Sequence, residues 1–330
     1  MKSLFITIRL ALLCTFLGLS SWSIVTAAEP KAAGDFRLDK KEDGVEVYLG
    51  DQMVTKYWHK SGTKPILWPI VGPEGLKRTR AYPMDDKQPG EERDHIHHRS
   101  LWFTHGEVNG VDFWAETDKS GLIEHRSFGK VEGGKSAVIE TTSDWVTRDG
   151  KTLLNEERTM TFGHDESARW IDFDITLTSG KEDVHFGDTK EGSFGVRVAE
   201  SMKVDAKGQP GGTIINSQGQ TNGEAWGKPA SWVDYHGKVE GKHVGVAMLV
   251  RPDSLRYPGR WHVRTYGLFA ANPFGEHHFT GSAEKTGGYL LPAGKQLELH
   301  YRVVFHLGDE KEGKIQQRWE EYSKTAKAKQ

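Results

Sequence analysis

The chain has 330 residues, with 44 Lys and Arg against 46 Asp and Glu, 27% charged and 36% hydrophobic, a composition that excludes a disordered or collagen-like protein. The balance becomes weakly acidic once a leader carrying Lys2 and Arg9 is removed, which leaves no electrostatic footprint for nucleic acid or anionic lipid. The single cysteine, Cys14, lies in the apolar N-terminal run, so the remainder has no disulfide framework, iron–sulfur cluster, cysteine nucleophile or thiolate zinc site.

Residues 1–28 read as a secretory signal. Lys2 and Arg9 flank an apolar run through Leu10, Leu12, Leu13, Phe16 and Leu19, and Val25-Thr26-Ala27-Ala28 offers a cut after Ala27 or Ala28. A secreted or periplasmic protein is expected, the alternative being that residues 10–28 stay as an uncleaved anchor. No second apolar stretch of roughly 18 residues follows, which excludes a multi-span membrane protein.

Residues 29–330 read as one all-β domain. Strand signals recur at Gly44–Leu49, Ser136–Thr141, Thr159–Phe162 and Gly195–Val198. The clearest is Trp170–Leu177, where Ile171, Phe173, Ile175 and Leu177 alternate with Asp172, Asp174 and Thr176. Asp43-Gly44, Asn109-Gly110, Asp149-Gly150 and Asn222-Gly223 punctuate these runs as hairpin turns. Helical spacing is confined to the C-terminus, where Ile315, Trp319 and Tyr322 fall at i, i+4 and i+7 before a basic tail. The pattern predicts a large sandwich of two antiparallel sheets with one short C-terminal helix.

The sequence contains no Walker-type phosphate loop, zincin helix, nucleophile elbow or EF-hand. Its unusual feature is histidine density. Arg93-Asp94-His95-Ile96-His97-His98-Arg99-Ser100-Leu101-Trp102-Phe103-Thr104-His105-Gly106 leads into Val108-Asn109-Gly110-Val111-Asp112-Phe113-Trp114. In an extended chain His95 and His97 share a face and His98 takes the other. Three uses compete. A divalent metal would take His95 and His97 with Asp112; a sugar would use the imidazoles as proton donors and acceptors and Trp102 and Trp114 as flat platforms; or the histidines are hydrogen-bonded loop and core residues.

A second cluster, Arg260-Trp261-His262-Val263-Arg264-Thr265-Tyr266, puts Arg260, His262, Arg264 and Tyr266 on one face by period-two alternation, suited to an anionic or polyhydroxylated ligand. The third is Thr189-Lys190-Glu191-Gly192-Ser193-Phe194-Gly195-Val196-Arg197, in which burial of Glu191 would raise its pKa into the range of a general base. Asn222–Tyr235 adds Trp226 and Trp232, expected among tryptophans lining a ligand surface.

These three segments, with Leu268-Phe269-Ala270-Ala271-Asn272-Pro273-Phe274-Gly275 closing the second, resemble a bacterial family labelled "methane oxygenase PmoA" or PmoA-like. Methane oxidation does not fit the chain: a membrane oxygenase subunit needs several spanning helices, and a copper oxygenase with an N-terminal histidine ligand needs His at the mature start, where Ala28 or Glu29 would stand. The family is similar in fold to the galactose-mutarotase-like β-supersandwich, whose epimerases use a histidine acid and a glutamate base. That resemblance implies a carbohydrate-active enzyme (epimerase, lyase or glycoside-processing) with His98 or His262 as acid and Glu191 as base. Substrate binding is expected of His97, Arg99, Trp102, His105, Trp114, Arg197, Arg264, Tyr266 and Asn272, with no cofactor predicted and a divalent metal possible. The alternatives are a non-catalytic carbohydrate-binding protein and a metal-dependent oxidoreductase.

Overall fold

The alternation read at Trp170–Leu177 holds in the strand Ala168–Ser179, where Ile171, Phe173, Ile175 and Leu177 are buried and Asp172 and Asp174 point to the opposite face. A strand with two such faces must bury one against a second layer. The computed structural model, which describes residues 34–206, 211–283 and 287–326, supplies that layer as a second antiparallel sheet. The leader expected at residues 1–28 and the end of the basic tail lie outside the described residues. Among the described residues no helix is long and apolar enough to cross a membrane.

In chain order, β1 (Phe36–Lys41), β2 (Gly44–Leu49), β3 (Gln52–Ser61), β4 (Lys64–Leu67) and β5 (Leu101–His105) lie in the first sheet. Next, β6 (Leu122–Glu132), β7 (Ala137–Val146), β8 (Thr152–His164) and β9 (Ala168–Ser179) lie in the second. There follow β10 (Val184–Phe186), β11 (Gly192–Arg197), β12 (Thr213–Asn216), β13 (Trp232–Val239), β14 (Lys242–Val250), β15 (Arg260–Val263), β16 (Leu268–Asn272), α1 (Glu276–Thr280), β17 (Tyr289–Leu291), β18 (Gln296–Leu307) and α2 (Ile315–Ser323). The first sheet runs β1-β2-β3-β4-β5-β11-β16-β15 and the second β12-β13-β14-β18-β9-β8-β7-β6, with β10 and β17 as a separate two-stranded ribbon. This is the two-sheet β-supersandwich with a short C-terminal helix that the sequence predicts.

Aromatic pairs join the sheets. Phe194 on β11 lies 4.7 Å from Phe173 on β9 and 4.8 Å from Tyr301 on β18, ring centre to ring centre, and Phe103 on β5 meets Trp145 on β7 at 5.8 Å. Burying each such ring contributes about 1.5–3 kcal/mol. The helix α2 buries Ile315 and Tyr322 against Ala168, Ala247 and Val304, and the Trp319 indole donates to the Val250 carbonyl at 3.1 Å. Asn109-Gly110 forms the expected two-residue turn, both residues having positive φ while Val108 and Val111 exchange backbone hydrogen bonds. Asn222-Gly223 does not. Asn222 Oδ1 accepts the Ile214 N–H at 3.0 Å, and the chain continues into a short 3-10 turn instead of a hairpin.

Strand parity positions the site. On β5, Leu101 and Phe103 face the inter-sheet core, so Trp102 faces outward; on β11, Phe194 and Val196 face in and Arg197 faces out; on β15, Trp261 and Val263 face in and His262 faces out. Gly195 pairs with Trp102 across the ladder, and a Cβ there would lie 2.7 Å from the indole. Glycine lets that ring lie flat on the outer face.

Candidate active site

Above this outer face lies an open cleft of about 430 Å³, within the range of small-ligand sites. Its walls come from residues far apart in sequence: His95, His97 and His98; Asp112 and Trp114; Lys190 and Glu191; His262, Arg264 and Tyr266. The three segments singled out in the sequence therefore converge. A smaller hollow of about 280 Å³ between β3 and β6 carries His59 and His125 but none of the predicted site residues.

The histidine segment is not extended. The His98 N–H donates to the His95 carbonyl at 2.9 Å, and His95 has φ of 43°. What overrides the strand reading is Arg80, whose buried guanidinium gathers the carbonyls of Tyr82, Glu92, Asp94 and His95 and pairs with the Asp94 carboxylate. Arg197 closes the clamp, donating to Asp94 Oδ1 at 3.0 Å and to His98 Nδ1 at 3.3 Å. Burial works against charge on Asp94, but Arg197, His95 and Arg80 outweigh it and hold the carboxyl at about 2. The turn so fixed stacks four rings: Trp102 on His98 at 5.5 Å, His98 on His95 at 4.7 Å, and His95 on Tyr266 at 5.3 Å, none more than 17° from parallel with the next.

The strand β15 ends at Val263, so the period-two reading of Arg260 to Tyr266 fails after His262. Arg264, Thr265 and Tyr266 form a turn closed by Gly267 N–H to the Arg264 carbonyl at 3.0 Å, which still brings Arg264 and Tyr266 to the cleft. Arg260 points elsewhere, paired with Glu276 and donating to the Gly227 carbonyl.

Trp226 donates its indole N–H to His262 Nδ1 at 3.0 Å. Because an indole can only donate, Nδ1 must accept, and neutral His262 carries its proton on Nε2. The same logic applies to His98, whose Nδ1 accepts from Arg197. Burial, then the charges of Arg264 and Lys190, push His262 down to about 3. Burial, then Lys64 and His95, push His97 down to about 4, and burial with His97 and Arg197 lowers His98 strongly. His97, His98 and His262 are therefore neutral hydrogen-bonding groups at neutral pH.

Other predicted residues are reassigned. Glu191 lines the cleft, but its side chain is 38% exposed and pairs with Lys190 at 2.8 Å, so the burial expected to raise its pKa is absent. Arg99 is bound to Glu116 and Ser61 outside the cleft, because Glu116 is also drawn to the buried Lys64. His105 has the inward parity of Leu101 and Phe103; its ring contacts the Ser193 hydroxyl and the Gly187 carbonyl and packs on Phe274, away from ligand. Trp102 is fully buried beneath His98, leaving Trp114 as the tryptophan at the cleft wall. Asn272 ties down the Glu191 loop through the Thr189 carbonyl at 2.8 Å. Asp112 Oδ1 accepts the N–H groups of Trp114 and Ala115, and among the described residues no three His, Cys, Asp or Glu side chains are grouped to hold a metal. Arg80, Asp94 and Lys190 carried no predicted role, and Trp226 was expected to line a ligand surface, not to orient His262.

Residues 44–320 match DUF6807, a family of unknown function. The chain belongs to this family. The DUF6807 match carries no activity and no PmoA-like designation, and no curated protein matches the sequence. Solved structures similar to it include a GH36 α-galactosidase from Geobacillus stearothermophilus (10% identity, 84% of this chain and 42% of that one, TM-score 0.41). Others are an α-galactosidase from Lactobacillus brevis (7%, 84% and 40%, 0.38) and a galactose mutarotase-like protein from Clostridium acetobutylicum (7%, 82% and 98%, 0.38). The chain thus spans about two-fifths of the length of the α-galactosidases.

Proposed function

We propose that this DUF6807 protein is a carbohydrate-active enzyme, of epimerase, lyase or glycoside-processing type, acting outside the cytoplasm as the leader pattern of residues 1–28 suggests. The observation that carries the proposal is the convergence of His98, Glu191 and His262, from three separate segments, on one cleft beside Trp114. Polar groups with fixed donor and acceptor sense beside an aromatic wall suit a sugar, whose hydroxyls need both senses and whose C–H face is apolar. Glu191 would accept the proton removed from substrate. His262 and His98 would donate from Nε2 to the oxygen on which charge gathers, as neutral electrophiles. The exposure of Glu191 and its pairing with Lys190 favour a second reading, sugar binding without turnover.

Proton exchange and epimer formation, followed by NMR in D2O on a panel of aldoses, oligosaccharides and uronic acids, test both. Glu191→Gln is expected to lower turnover about 10²–10⁴-fold, with His262→Ala also reducing it. Turnover untouched by both changes would overturn the assignment of these residues, and saturable binding with no turnover would leave the binding reading standing.

A further inference from the structure

The arginines around the cleft divide into those whose charge is satisfied and one whose charge is not. Arg80 and Arg197 share Asp94, Arg99 is bound to Glu116, and Arg260 to Glu276. Arg264 lines the cleft half-buried, and its guanidinium has no hydrogen bond or ion pair to any described residue; it lies over the Tyr266 ring, 5.5 Å from its centre. That contact supports the flat guanidinium without using its N–H donors.

The carboxylates of the cleft are not free to serve it. Asp94 is taken by Arg80 and Arg197, Asp112 by two backbone N–H groups, and Glu191 by Lys190. The positive field this leaves is felt by the neighbours, since Arg264 helps depress His262 and Arg197 helps depress His98. A partly desolvated guanidinium with open donors is costly unless the ligand brings an acceptor, and hydroxyls supply a weaker one than a carboxylate matched to both arms of the fork.

Building on the carbohydrate reading above, we infer that the ligand is an acidic sugar, a uronic acid unit whose carboxylate is bound by Arg264 while its ring lies toward Trp114 and the Nε2–H of His262. A planar carboxylate on a pyranose ring would satisfy the fork and leave the ring oxygens to the imidazoles, a division of labour that a neutral hexose cannot provide.

Calorimetric titration of the full chain tests this with D-glucuronate, D-galacturonate and D-mannuronate, each beside its methyl ester, which removes the charge and keeps the ring. At least one acid is expected to bind about tenfold or more tighter than its ester. Arg264→Gln is expected to abolish the preference, so that acid and ester bind alike in the variant, and Arg264→Lys to keep part of it. Equal binding of acid and ester by the wild-type protein, a readout that needs no variant, overturns the assignment and leaves the sugar reading intact. A preference that survives in Arg264→Gln does the same. Galactose 6-sulfate binding more tightly than every uronate shows the anion to be a sulfate ester and overturns the carboxylate. Failure of acids, esters and neutral parent sugars alike removes the carbohydrate reading itself.

Discussion

Two regions of this molecule collect histidines, and they treat them in opposite ways. In the cleft of the first sheet His97, His98 and His262 sit among Lys64, Arg197 and Arg264, and burial with that positive surrounding drives all three toward the neutral form. In the second sheet His236 on β13 and His306 on β18 converge on Asp234, whose two carboxylate oxygens meet His236 Nδ1 at 3.0 Å and His306 Nε2 at 2.6 Å. Burial opposes charge on Asp234, but the two histidines outweigh it and keep the carboxyl below its usual range. His236, though burial works against its protonation, is raised by Asp234 and Glu310. The residue type is the same; the sign of the neighbouring charge decides whether burial leaves it neutral, as at His262, or a carboxylate draws it toward the charged form, as at His236.

The largest test of that contrast is Asp234→Ala. Removing one partner of a buried, hydrogen-bonded charge group leaves the histidines without their acceptor and is expected to cost about 3–5 kcal/mol, read from urea unfolding. A loss below about 1 kcal/mol would mean that Asp234 gains little from its two histidine partners, and the contrast would dissolve.

The pH dependence of stability comes next, because a histidine buried without a carboxylate, such as His105 in the core, and His236 beside Asp234 have opposite signs. His105, buried on the inner face of β5, is pushed down by burial to about 4 in the folded protein against an ordinary value of 6.5. Its neutral form therefore contributes stability that is complete above pH 6.5 and is lost as the pH falls toward 4, on the order of 3 kcal/mol in all. His236 is raised, so its contribution is complete below pH 6.5 and disappears as the pH rises through its folded value. Melting temperatures from pH 4 to 8 are expected to show a flatter acid limb in His105→Leu, and in His236→Asn an unchanged acid limb with a smaller decline above pH 6.5. An unchanged acid limb in His105→Leu would overturn the account of His105.

What could be read in advance follows the range of the interactions. The alternation of Ile171 to Leu177, the Asn109-Gly110 turn and the helix through Ile315, Trp319 and Tyr322 are set by near neighbours, and each stands where the sequence puts it. The cleft is legible as residue types: His97, His98, Trp114, Glu191, His262, Arg264 and Tyr266 all line it. Which neighbours these residues have was not legible. Arg80 reaches Asp94 across 14 residues, Arg99 reaches Glu116 across 17 and Trp226 reaches His262 across 36, with no local pattern to announce the pairs. The inward face of His105 did carry a signal, since assigning Trp102 to the ligand face of β5 puts His105 on the opposite one.

The smallest effect bears on how the cleft sets a histidine without any carboxylate. Trp226→Phe keeps an aromatic ring against Phe279, now 5.4 Å away and nearly perpendicular to the indole, but deletes the N–H that His262 Nδ1 accepts. The expected cost is about 1 kcal/mol of stability, since one buried acceptor loses its donor. The informative readout is the nitrogen NMR spectrum of His262. In the wild-type protein Nε2 is expected to carry the proton throughout the neutral range, whereas in Trp226→Phe the proton is free to divide between the two nitrogens. A wild-type spectrum with the proton on Nδ1 would contradict the assignment, because an indole N–H and an imidazole N–H cannot share a hydrogen bond at 3.0 Å.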